Sequence, residues 1–397
     1  MSALTRFTFG WQPGASAQME FFSPDSGTEI YRLKYTLPFR ATLRPPLKEL
    51  PISAETINDL NYRLERIAQA SHPRRQTQPS LPKSSSPPIL GDLVTFGEQL
   101  MDLIVADAAD LRTELTRGNL LLDIGLDEPL LSTPWELLYD GEEFLCLKHA
   151  VGRYVNIARP APLPVHSPEP FPENGLSILL ISVPRPQPRE HGKLTYRALP
   201  GVEAESLAIC EMLTKIDGVK ISTLTHTEAT YDGVWNAIKK EPRFHIVHFG
   251  GHAYFRDDQP QNSSLVLIDR DMPTGPLQSF FGLKPPRLFV MNACETATSS
   301  GTGASWASQF NIFGLARAFL NTGAYLLGSR WEVGDKNAAI FAKAFYSNFM
   351  AGSCVGDAIR MARIECKDAA AEAGAIDDFS WASYIFYGDP RLKIERI

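Results

Sequence analysis

Apolar and polar positions change their period along this chain, and the changes mark its parts. Up to about residue 50 they alternate, as in Glu29-Ile-Tyr-Arg-Leu-Lys-Tyr-Thr-Leu37, a pattern that suits half-buried strands in a small sheet. From Ser53 the spacing becomes helical, with Ser53 placed to cap the helix and Glu55 in its first turn. Residues 71–88, dominated by Pro, Ser and basic side chains, hold too few apolar groups to bury and predict a linker. An amphipathic helix is predicted over about 93–109, a buried strand over 120–126, and a helix starting at Pro134-Trp-Glu-Leu-Leu138. Residues 159–174 form a second proline-rich connector. Beyond it, predicted strands (177–183, 219–224, 245–249, 288–293, 324–331) alternate with predicted helices (201–216, 230–240, 311–321, 335–350). Such alternation implies an α/β fold with a mostly parallel sheet and helices on both faces.

Composition narrows the picture without redrawing it. The 397 residues are 44% hydrophobic and 21% charged, enough for a sizeable core, and the net charge is −6. With no basic excess and no nucleic-acid-binding signature, a nucleic-acid partner is not expected. No apolar run reaches the roughly 18 residues of a membrane span. The start of the chain lacks the features of a secretory signal, and the five scattered cysteines form no CxxC pair, so a reducing, cytoplasmic location is expected.

The candidate chemistry lies in two strings. His245-Ile-Val-His-Phe-Gly-Gly-His252-Ala and Leu288-Phe-Val-Met-Asn-Ala-Cys294-Glu-Thr-Ala each run apolar, break into small residues, and present a reactive side chain. Open α/β sheets place ligands at the carboxyl ends of their strands, so these ends offer an imidazole and a thiol. Cys294 is the candidate nucleophile. His252, expected past the end of its strand where Gly250-Gly251 allow a turn, is the candidate base. His245 and His248 fall within the strand and read as core histidines, with His248 retaining a weaker claim to the base. Asn292, Ser329, Trp331, Glu332 and Asp335 cluster near the predicted strand ends and are candidate substrate contacts. An acidic pocket from Glu332 and Asp335 would favour a basic residue in the substrate, and one lined by Trp331 an apolar one. The flanking Arg330 and Lys336 tilt the expectation toward the apolar choice. Neither a phosphate-binding loop nor a GxSxG elbow is present, and His248 and His252 lie in no helix that would make them a zinc pair.

Six motifs then occur in order: Pro134-Trp-Glu-Leu-Leu138, the His252 string, Asn292-Ala-Cys-Glu-Thr-Ala, Gly314-Leu-Ala-Arg-Ala-Phe-Leu-Asn-Thr-Gly-Ala324, Ser329-Arg-Trp-Glu-Val-Gly-Asp335 and Trp381-Ala-Ser-Tyr-Ile-Phe-Tyr-Gly-Asp-Pro390. Together they resemble a CHAT domain, of the caspase-like, separase-related cysteine peptidases, over about residues 90–397. The resemblance implies a caspase–haemoglobinase-like fold, a His252–Cys294 dyad, and protein cleavage through an acyl-enzyme with no metal or other cofactor. It also implies an oxyanion site from the backbone amides of Ala253 and Cys294, although relatives usually carry glycine where this chain has Ala253. Relatives often serve bacterial antiviral defence or cell death, some by cutting a gasdermin-like effector, and a catalytically silent scaffold is the alternative. The expected division is an accessory α+β region (1–72), a linker (73–90), the first part of the CHAT domain (91–165) and a catalytic core (166–397). The first ninety residues are expected to form a small docking or regulatory module that binds a partner or substrate, the alternative being that their strands only pack against the peptidase core.

Overall fold

The structure, a computed structural model, describes residues 7–24, 29–38, 47–70, 89–105, 108–156, 175–187, 194–196, 198–240, 243–254, 263–282, 285–294, 298–299, 319–320, 322–331 and 333–396. The predicted linkers, the helix over 311–321 apart from residues 319–320, and Glu332 lie outside this set.

The alternating N-terminal stretch forms β1 (Phe7–Trp11), β2 (Ser16–Phe22), β3 (Arg32–Thr36) and β4 (Leu47–Glu49). Helix α1 (Ala54–Ala70) follows with the expected cap: Ser53 Oγ accepts the Thr56 N–H at 3.1 Å, and Thr56 Oγ1 accepts the Ser53 N–H at 3.3 Å. Next come α2 (Ile89–Val105), α3 (Ala109–Arg117), β5 (Leu121–Leu126), α4 (Leu145–Lys148) and β6 (Ala150–Val155). Trp135–Leu137 makes one tight turn rather than the start of a helix. It is anchored by Trp135, which is buried and donates from Nε1 to the Leu130 carbonyl at 2.9 Å.

The second half contains β7 (Leu176–Ser182), β8 (Leu194–Thr195), α5 (Pro200–Leu213), β9 (Val219–Thr225) and α6 (Tyr231–Lys240). It continues with β10 (Ile246–Tyr254), β11 (Ser264–Val266), β12 (Asp271–Pro273), α7 (Thr274–Gly282), β13 (Leu288–Cys294), β14 (Thr298–Ser299) and β15 (Tyr325–Ser329). Helices α8 (Asp335–Met350) and α9 (Val355–Glu372) precede β16 (Tyr384–Tyr387) and β17 (Leu392–Arg396). Gly323 turns the chain into β15 with φ +83°, a conformation that a Cβ would disfavour.

One sheet runs β9-β7-β10-β13-β15-β16-β6-β5-β2-β3-β4, with β11 and β12 continuing from the far end of β10. Strands β9, β7, β10, β13 and β15 are mutually parallel; β16 reverses direction, and β6, β5 and β2 run parallel with it. Helices cover both faces, as the alternation implied. Phe289 of β13 meets Phe281 of α7 edge-on at 5.9 Å on one face, while Asn292, three positions on, meets Glu205 of α5 on the other.

The N-terminal strands belong to this same sheet. β2 pairs with β5 from Ser16↔Leu121 to Phe21↔Leu126, and β1 pairs with β17. Met19, Phe21 and Leu33 are fully buried, and Phe21 stacks on Trp135 with ring centroids 4.1 Å apart. Burying each such side chain contributes about 1.5–3 kcal/mol, and the strands β1, β2 and β3 share one core with Trp135, Leu137 and Leu138.

Candidate active site

Strands β10 and β13 are neighbours in the parallel sheet, in a register that pairs Ile246 with Leu288 and ends on His252↔Cys294. Continuous apolar runs form both strands because both faces are covered. Six positions separate the first residue of this pairing from the last in each string, so aligning Ile246 with Leu288 also aligns His252 with Cys294.

His252 does not stand beyond its strand. β10 continues through Tyr254 because β11 takes up pairing where β7 stops: β7 covers Ile246 to Gly250, and β11 covers His252 to Tyr254. Gly250 and Gly251 supply closeness instead of a turn. A Cβ on Gly250 would sit 3.2 Å from Val202 of α5, and one on Gly251 3.0 Å from Phe249 and 3.3 Å from Val183. His252 is fully buried, with the Tyr196 ring 5.3 Å from its own, tilted by 39°. Tyr196 follows β8, and β8 pairs with β14 (Thr195↔Thr298, Leu194↔Ser299), so the segment that carries this ring is tied to one that follows β13.

The other histidines are held in the core. His245 Nδ1 accepts the Ser177 N–H at 2.9 Å. Burial, helped by the charge of Arg243, pushes its pKa down to about 4. His248 is fully buried, with Nδ1 3.2 Å from the Tyr346 hydroxyl and Nε2 3.1 Å from Glu205 Oε1. The second approach is a close polar contact that is not aligned as a hydrogen bond.

The expected substrate contacts take several positions. Asn292 is buried beneath the strand end: its Nδ2 donates to Glu205 Oε1 at 2.9 Å, and its Oδ1 accepts from the Tyr384 hydroxyl at 3.5 Å. Ser329 closes β15 and donates to the Ala293 carbonyl at 3.4 Å. Trp331 is buried. Asp335 is the first residue of α8, and Gly334 holds the cap position. Ala253 lies inside β10 opposite Leu265, and its φ is not positive, so its methyl group meets no backbone strain.

Arg330 turns inward. Its guanidinium donates to the Ser132 carbonyl, beside the buried pair in which Arg153 donates to both carboxylate oxygens of Glu136. Burial, then repulsion from Arg153, lowers the Arg330 pKa to about 9. For Glu136, burial alone would raise the pKa, but the Arg153 charge outweighs it and holds the carboxyl below its usual range. The Pro134-Trp-Glu motif thus supplies the anion of a buried cluster that reaches the end of β15. Among the remaining thiols, burial pushes Cys146 and Cys354 up to about 11, and raises Cys366 and, less, Cys210.

Sequence reading missed Glu205 and Tyr196. Glu205 left a signal: with Val202, Ile209 and Leu213 it falls on the buried face of α5, where a carboxylate needs a partner. Tyr196 left none, since its place depends on the pairing of two short loops. Among the described residues no group of His, Cys, Asp and Glu side chains could hold a metal ion, and no helix is long and apolar enough to cross a membrane.

A family model described as the CHAT domain matches residues 94–389. No curated protein matches the chain. Two crystal structures of the Saccharomyces cerevisiae separase–securin complex resemble it at 10% sequence identity, with TM-scores of 0.49 and 0.48. Each match covers 94% of this chain but 30% of that one, so the chain spans under a third of the length of the protein it matches.

Proposed function

The chain belongs to the CHAT domain family, and from that premise we propose that it is a cysteine endopeptidase acting through His252 and Cys294. The observation that carries the reading is the register pairing those two residues across adjacent parallel strands. In the proposed reaction His252 accepts the Cys294 thiol proton, and the thiolate attacks the scissile carbonyl. The amides of Ala253 and Cys294 stabilise the oxyanion, and His252 returns its proton to the leaving amine. Water, deprotonated by the same imidazole, then hydrolyses the thioester and releases the second fragment. The substrate is a protein, for which a gasdermin-like effector in a defence pathway is a candidate, and Trp331 favours an apolar residue before the cut.

The complete burial of His252 favours one other reading, a partner-binding scaffold that carries the dyad without using it. Purified protein incubated with candidate effectors, the fragments mapped by N-terminal sequencing, separates the two. Cleavage that disappears in Cys294→Ala supports the peptidase. Cleavage by Cys294→Ala equal to that of the unaltered protein, or no cleavage together with an unreactive Cys294, leaves the scaffold.

A further inference from the structure

Directly beneath the dyad one carboxylate touches both strands that carry it. Glu205, on α5, is 1% exposed. The same oxygen, Oε1, accepts from Asn292 Nδ2 at 2.9 Å and lies 3.1 Å from His248 Nε2. Asn292 precedes Cys294 by two residues on β13, and His248 precedes His252 by four on β10. The groups around this point come from five elements: Glu205 from α5, His248 from β10, Asn292 from β13, Tyr346 from α8 and Tyr384 from β16. A carboxylate removed from water is costly unless its partners are well placed, and a well-packed apolar side chain at such a position is often at least as stable. What it adds is a hydrogen bond to β13 and a close polar contact with β10 at the same oxygen.

We propose that Glu205 is a positioning residue: through Asn292 and His248 its carboxylate fixes the ends of β10 and β13 relative to each other, and so the approach of His252 to Cys294. This rests on the peptidase reading above for its consequence in turnover. Asn292 sits about 6.6 Å along the strand from Cys294, close enough that a loosened amide shifts the nucleophile. Misplacing a reacting group by about 1 Å can reduce a rate roughly 100-fold.

The test compares full-length Glu205→Ala, Glu205→Gln and Asn292→Ala in melting temperature, in kcat and KM, and in the rate of Cys294 alkylation by iodoacetamide. Alkylation is mapped by peptide mass spectrometry, with the half-exposed Cys210 as reference. Glu205→Ala should lower kcat roughly 10- to 100-fold with KM nearly unchanged, and should slow Cys294 alkylation relative to Cys210. Glu205→Gln, whose amide oxygen still accepts from Asn292, should recover most of both. The double variant Glu205→Ala/Asn292→Ala should be no worse than either single one. A folded Glu205→Ala that alkylates like the unaltered protein overturns the proposal. So does a loss that tracks the melting temperature, with Gln no better than Ala, because that is the behaviour of a purely structural residue. The alkylation ratio needs no peptide substrate. If Cys294→Ala cleaves normally, the peptidase reading fails while this comparison still decides the role of Glu205.

Discussion

Cys294→Ala and His252→Ala should each reduce peptide cleavage by roughly 1,000-fold or more, and the double variant should be no slower, because members of a cooperating pair do not add. Initial rates on one peptide substrate check this, and additive losses would mean that the two residues act separately. His245 and His149 make a different prediction. His149 is fully buried, its Nδ1 accepting the Leu120 N–H at 3.1 Å and its Nε2 2.7 Å from the Leu115 carbonyl. Burial pushes its pKa down to about 4, as it does that of His245. Unfolded, both imidazoles titrate near 6.5. Below that pH the unfolded chain holds more protons, so stability is full above about 6.5 and falls toward 4, by up to about 3 kcal/mol for each histidine. Urea midpoints measured over this range should fall with pH. In His149→Gln, where the amide can keep both hydrogen bonds, the slope should be shallower.

Among the elements, α2 shows how packing decides a substitution that helix propensity cannot. Alanine is preferred over glycine inside a helix by about 1 kcal/mol, so Gly91→Ala and Gly97→Ala look alike from the sequence. A Cβ on Gly91 meets nothing within 4 Å. One on Gly97 would fall onto the Leu137 carbonyl oxygen and lie 2.8 Å from Tyr139 Cβ, where Tyr139 N–H also bonds to the Gly97 carbonyl at 3.1 Å. That backbone cannot step aside. Gly91→Ala should therefore stabilise by about 0.5–1 kcal/mol, while Gly97→Ala should destabilise by about 1–3 kcal/mol, both readable from thermal melts. If both variants stabilise, α2 does not press on the Trp135–Leu137 turn as described.

For the whole molecule, the sheet carries the N-terminal residues as part of itself, and this changes what their removal should do. Deleting residues 1–70 would uncover the β5 edge and the surfaces that Met19, Phe21 and Leu33 bury. An open, apolar strand edge invites aggregation. The truncated chain should be insoluble, or should melt well below the full chain in scanning calorimetry. A soluble, cooperatively folded fragment would restore the separable regulatory module expected from the alternating pattern and the proline-rich linker. The predicted linker, over 71–88, reads as a boundary because its composition cannot bury itself, but composition says nothing about whether the segments on either side pair with each other.

The sequence by itself determined the local facts: the alternation that makes β2 and β3, the cap at Ser53, the apolar runs of β10 and β13, the core role of His245, and the family through six ordered motifs. Each of these depends on neighbours within a few residues or on order along the chain, which is information a sequence carries openly. Tertiary structure decided the rest. It kept His252 inside β10, because β11 arrives from elsewhere to pair with it. It turned Arg330 toward Ser132 and Glu136, placed the Tyr196 ring against His252, and brought Glu205 beneath both strands. The side-chain contacts among these join residues from 43 to 198 positions apart, and no period or composition encodes a pairing at that range; only the folded sheet, by fixing which strands are neighbours, selects it.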